Sequence, residues 1–168
     1  MTIAEFDHLN IEKKRKILEQ CCGSSAWVEK MLTIPPAEDL IDLFEDAEEK
    51  WYECKEADWR EAFSRHPKIG ALNSIKERFA STADFAAGEQ SSVKDASEKV
   101  LEALAEANAA YEKKFGYIFI VFAAGKSAEE MLGMLTARLN NKPEEEIKIA
   151  MEEQNKITRL RLEKLFTD

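Results

Sequence analysis

The chain has 168 residues, with 24 Lys and Arg against 33 Asp and Glu, and so carries a formal net charge of −9 at pH 7. That length fits one domain with its own core, and 45% apolar with 34% charged residues suits a packed interior under a solvated surface, not a disordered chain. The acid excess, without a basic arm or stripe, argues against nucleic acid and anionic lipid as partners, because those polymers are bound through Lys and Arg neutralising phosphate.

Cys21, Cys22 and Cys54 form an odd, sparse set without a CxxC pair, which reads as a reducing compartment and not as a disulfide framework. The opening MTIAEFDHLN has neither the basic start nor the apolar run of an export signal, and Phe166-Thr167-Asp168 is not a Ser-Lys-Leu ending, so a cytoplasmic location is expected. The longest apolar run, Tyr117 to Ala124, falls far short of the roughly 20 residues that span a bilayer. No membrane crossing is expected.

In chain order, Thr2 with Glu5 is a capping-box pattern, Asn10 caps a run from Ile11, and Gly23 stands where a C-terminal cap belongs. Ser24 or Ser25 starts a helix carrying Trp27, Val28, Met31 and Leu32, which Pro35 and Pro36 end. The next helix is predicted from about Ala37 to Tyr52 with Leu40, Ile41, Phe44, Ala47 and Trp51 on one side. Asp58 to Ser64 continues the helical pattern and stops at Arg65-His66-Pro67, because the residue before proline is pushed out of the α region. A long helix is predicted from about Gln90 or Ser92 to Phe115, closed by Gly116. The β-branched and aromatic run Tyr117 to Phe122 reads as a buried core segment, extended or helical, since a lone strand would have no partner. Ser127 with Glu130 is a second capping box, and Pro143 followed by three Glu starts a last helix to about Phe166. The expected architecture is a single all-α domain over residues 1–168, a multi-helix bundle.

Several motifs have plain structural readings. Gly125-Lys126-Ser127 lacks the earlier glycine of a phosphate loop, position 120 being Ile. Cys21 and Cys22 read as half-buried small residues, Glu144 to Glu146 as a favourable helix start, His8 as solvated, and the two isolated histidines make no metal site. Three places carry chemistry. In Arg65-His66-Pro67-Lys68-Ile69-Gly70 the imidazole sits between a helix stop and a glycine, which suits a loop-fixed reactive group or, equally, a surface histidine in a connection. Glu89-Gln90 sets an acid and an amide at a helix start. Arg159 and Arg161, two positions apart on a helix, point to different sides, so one faces inward, to bind a planar anion or to pair a structural Glu.

Taken in order, His66-Pro67 with Ile69-Gly70, Glu89-Gln90, Phe115-Gly116-Tyr117-Ile118-Phe119 with Gly125-Lys126-Ser127, and Lys156-Ile157 through Arg161-Leu162 resemble the 2-oxo-4-hydroxy-4-carboxy-5-ureidoimidazoline (OHCU) decarboxylase family of uric acid degradation. The resemblance implies an all-α fold, a homodimer, and conversion of this small-molecule substrate to (S)-allantoin and CO2 without metal or organic cofactor. It further implies His66 and Glu89 as catalytic groups. Pro67, Gln90, Arg161 and the stretch Phe119, Ile120, Val121, Phe122 and Ala123 would contact substrate. Ala86 stands where many members have Ser, which removes a hydroxyl contact or passes it to a neighbour such as Ser91. Ala86 also motivates one alternative, a same-fold enzyme for a different ring-derived carboxylate. A non-catalytic helical interaction module, with His66 and Arg161 structural, is the other.

Overall fold

A computed structural model describes residues 1–67, 75 and 91–167, residues 91–97 by their backbone alone. The described residues form eight α-helices and no strand: α1 (Ile3–Asp7), α2 (Ile11–Cys21), α3 (Ser25–Thr33), α4 (Leu40–Tyr52), α5 (Glu56–Ser64), α6 (Ser91–Phe115), α7 (Ala128–Leu139) and α8 (Pro143–Leu165). None of these helices is long and apolar enough to cross a membrane. The chain divides into two compact units, one of Met1–His66, Ile120–Phe122 and Ile147–Asp168, the other of Pro67–Phe119 and Ala123–Glu146.

In the first unit, local chemistry starts the helices as the sequence implies. The Thr2–Glu5 capping box opens α1, Asn10 Oδ1 accepts from Lys13 N–H, and Ser24 Oγ accepts from Trp27 N–H. The α4 helix departs from the expected start. Its cap is Asp39, whose carboxylate accepts from Asp42 N–H at 2.9 Å. An aspartate N-cap outcompetes helical propensity at Ala37, two residues earlier. The buried stripe is accordingly Leu43, Ala47 and Trp51, while Ile41, expected inside, is exposed.

Indole N–H groups tie this unit together. Trp27 donates to the Ala47 carbonyl at 2.9 Å, and Trp51 donates to the Met151 carbonyl at 2.9 Å, fixing α3 on α4 and α4 on α8. Phe6 meets the Phe166 ring edge-on, with centroids 5.2 Å apart. The result is an α8 whose Ala150, Met151, Gln154, Thr158 and Leu162 are all buried.

In the second unit, α6 ends at Gly116, which adopts φ 80° and donates its N–H to the Glu112 carbonyl. This is the left-handed position glycine occupies without steric cost. Ser127 and Glu130 form the expected reciprocal box at the start of α7. Leu101, Leu104, Tyr111 and Phe115 of α6 and Met131 and Leu135 of α7 supply its apolar core. Residues 118–123 are neither helix nor strand, so the extended-or-helical alternative for this run resolves into irregular backbone.

Glu144 to Glu146 are not uniformly a solvated helix start. Glu146 is fully buried and accepts from Arg138 Nε at 2.7 Å, Tyr111 Oη at 2.5 Å and Asn141 Nδ2 at 2.9 Å.

Candidate active site

The α5 helix ends as Pro67 requires, with Arg65 N–H donating to the Ala62 carbonyl and His66 N–H to the Phe63 carbonyl. Gly23 shapes this corner, but not as a left-handed cap: the positive-φ glycines among the described residues are Gly116 and Gly125. A Cβ on Gly23 would lie 2.5 Å from Cβ and Cγ of Arg65. Gly23 is therefore required by close approach, and it lets the residue next to His66 pack on the α2–α3 connection. Gly23→Ala is expected to push Arg65 outward and lower stability by about 1–3 kcal/mol, the usual cost of overpacking, read as a fall in the urea midpoint at unchanged slope.

His66 is half-buried. Its Nε2 lies 2.5 Å from Oε1 of Gln154, a fully buried residue of α8, and the Gln154 amide nitrogen donates to Thr158 Oγ1 at 3.2 Å. Burial pushes the His66 pKa below its ordinary 6.5, the Gln154 hydrogen bond opposes this, and the Arg161 charge lowers it further. A base with a lowered folded-state pKa favours folding while it is neutral. This contribution is complete above about pH 6.5 and disappears as pH falls through the lowered value. Thermal unfolding of wild type against His66→Gln is expected to show the wild type losing more stability below pH 6.5.

Of the two arginines, Arg161 turns inward. It is half-buried and donates from Nη1 to the Cys21 carbonyl at 3.1 Å and the Gln20 carbonyl at 3.5 Å, so its partners are backbone oxygens at the end of α2. Arg159 is exposed, bonds Glu163 at 3.1 Å and covers the Phe44 ring. Gln154, Thr158 and Arg161 follow at helical spacing, which places the amide, hydroxyl and guanidinium on one face of α8.

Two further residues act beside these. Glu153 is nearly buried, and its Oε2 accepts from the Phe122 N–H at 2.6 Å, so Phe122 already spends its backbone donor within the protein. Lys156 bonds the other oxygen of Glu153 at 2.5 Å. Of the irregular stretch, Ile120 is buried and Phe119, Val121, Phe122 and Ala123 are half-buried. In the second unit Phe119 lies under the Arg138 guanidinium, 4.5 Å from its ring centroid, and meets Tyr111 edge-on at 5.2 Å. Pro67 is exposed. Ala86, Glu89 and Gln90 lie outside the described residues.

No sequence motif marks Glu153 or Gln154. The signal for Gln154 is the spacing of Ala150, Gln154, Thr158 and Leu162, one four-residue row that carries two polar groups into a buried face. Cys21 and Cys22, expected to be half-buried, are fully buried, and burial pushes both thiols up to about 12. They stay protonated at neutral pH and are poor nucleophiles. His8 is exposed as expected, its Nδ1 donating to the Ala4 carbonyl at 2.6 Å.

Residues 7–163 match the family model described as OHCU decarboxylase. The chain is 42% identical over 152 residues to the uric acid degradation bifunctional protein TTL of Arabidopsis thaliana, an alignment covering 88% of this chain and 46% of that protein. It spans less than half the length of the curated relatives it matches. Among solved structures it is similar to an OHCU decarboxylase crystallised in the presence of (S)-allantoin, with TM-score 0.70 and 39% identity over 89% of this chain and 96% of that one. An (S)-allantoin synthase shares the fold, with TM-score 0.71 at 18% identity, covering 99% of this chain and 54% of that one.

Proposed function

Because the chain belongs to the OHCU decarboxylase family, we propose that it decarboxylates 2-oxo-4-hydroxy-4-carboxy-5-ureidoimidazoline to (S)-allantoin and CO2, as a carboxy-lyase of uric acid degradation. The observation that carries this reading is the half-buried His66, held by the buried Gln154 on the α8 face that also bears Arg161.

The chemistry suits these residue types. The bond between the ring carbon and its carboxylate breaks, CO2 leaves, and the electron pair moves toward the neighbouring ring C=N unit, which takes up a proton on nitrogen. The hydroxyl proton then departs as the carbonyl forms, and a proton arrives at the adjacent ring carbon. The substrate's own unsaturation accepts the electrons, so no metal or organic cofactor is needed as an electron sink. Orientation and proton placement remain for the protein. His66 and Glu89 carry the proton transfers, His66 as an imidazole suited to exchange near neutrality. Arg161, Gln90, Pro67 and the stretch Phe119, Ile120, Val121, Phe122 and Ala123 hold the polar periphery and ring of the substrate, Arg161 by its two-pronged fit to a carboxylate. Ala86, where many members have Ser, removes a hydroxyl contact to the substrate or passes it to a neighbour such as Ser91. Delivery of the ring proton from one face makes the product the S enantiomer.

Residues 1–168 act in this reading as one domain, in a cytoplasmic homodimer. The test follows the ultraviolet absorbance of the carboxylated ring, freshly generated from urate by oxidation and hydrolysis. Addition of the protein is expected to accelerate its disappearance many-fold, and a rate equal to spontaneous decay overturns the reading.

A further inference from the structure

We propose that Gln154 is the positioning residue that sets the tautomer of His66, so that in the neutral ring Nε2 carries the proton and Nδ1 the lone pair. The inference rests on the reading of His66 as the proton-transfer group, but its primary observable is a property of the resting protein.

An amide oxygen only accepts, so the 2.5 Å contact between Gln154 Oε1 and His66 Nε2 requires hydrogen on Nε2. The orientation of the amide follows from its other end. Gln154 Nε2 donates to Thr158 Oγ1 at 3.2 Å. The hydroxyl oxygen accepts from the Gln154 amide nitrogen, which leaves Oε1 turned toward the imidazole. Gln154 is fully buried and Thr158 nearly so, so water does not compete for the bond between them.

The choice of an amide has a chemical consequence. A carboxylate at this position would stabilise the imidazolium, whereas a neutral acceptor fixes the ring without making it much more basic. Arg161, the charged group that acts on His66 from the same helix, and burial both disfavour the protonated ring. The Glu153 carboxylate beside Gln154 is directed to Phe122 N–H and Lys156. His66 is thereby presented as a neutral ring with an acceptor Nδ1, the nitrogen left for proton exchange with substrate.

The chain has two histidines, and His8→Gln leaves His66 as the sole source of signal in protein labelled with 15N-histidine. Near pH 7.5 the expected spectrum has a protonated, pyrrole-like Nε2 and an unprotonated, pyridine-like Nδ1. Gln154→Leu is expected to move both resonances toward each other and to lower kcat by about 10–100-fold, the range for losing a group that orients a reactive imidazole, with little change in KM. Gln154→Glu, which keeps the shape, is expected to raise the His66 titration midpoint by about 1–3 pH units and to carry the acid limb of the rate profile with it. A protonated Nδ1 in the resting protein overturns the proposal, as does a Gln154→Glu midpoint equal to wild type. The expected nitrogen pattern in a protein that does not accelerate decarboxylation would remove the functional reading and leave the positioning role standing.

Discussion

Glu146→Ala is expected to destabilise the protein by about 3–5 kcal/mol, the cost of breaking a buried ion pair from one side. Glu146 is fully buried and holds Arg138, Tyr111 and Asn141 at once, with Arg138 itself nearly buried. Removing the carboxylate leaves a guanidinium and a phenol in an interior where neither finds water. The Tyr111 hydroxyl stays protonated, its pKa raised by burial first and by the Glu146 hydrogen bond second. Glu146→Gln, which keeps an acceptor but adds two donors facing Arg138, should fall between wild type and Glu146→Ala. The check is the urea midpoint at constant slope. A loss below about 1 kcal/mol, the worth of an exposed pair, would mean that the cluster is hydrated in solution.

The second large effect falls on turnover. His66→Ala is expected to lower the decarboxylation rate by about 10²–10⁴-fold, the usual contribution of a positioned proton-transfer group. Stability near pH 7 should change little, since the ring is half-buried and its main polar tie is the single bond to Gln154. Steady-state kinetics beside the urea midpoint separates the two: equal losses in kcat and kcat/KM with an unshifted midpoint are the expected pattern. Unimpaired turnover by folded His66→Ala would remove His66 from the chemistry.

Helix starts are legible in this sequence because cap chemistry is local. Thr2, Asn10, Ser24 and Ser127 each bond an amide three residues ahead, so a four-residue window contains both partners. His66 is legible for a similar reason, since the following Pro67 alone stops α5 there. Glu146 is not, because its burial depends on Arg138, 8 positions away, and Tyr111, 35 positions away. In the sequence it reads as a helix-dipole complement like Glu144 and Glu145. Gly23 shows the same limit from the other side: its position after α2 suggests a cap, while its actual constraint is the Arg65 side chain brought in by tertiary packing. The inward turn of one of Arg159 and Arg161 follows from helical spacing, but which one depends on where the end of α2 offers its carbonyls.

The most direct test is the optical activity of the allantoin formed when urate is oxidised and hydrolysed with this protein present, followed by circular dichroism as the product accumulates. Wild type is expected to give S-enriched allantoin faster than the uncatalysed reaction, and His66→Ala racemic allantoin at close to the uncatalysed rate. Racemic product from the folded wild-type protein, or S-enriched product formed equally fast by His66→Ala, would contradict the assignment of stereospecific decarboxylation to His66.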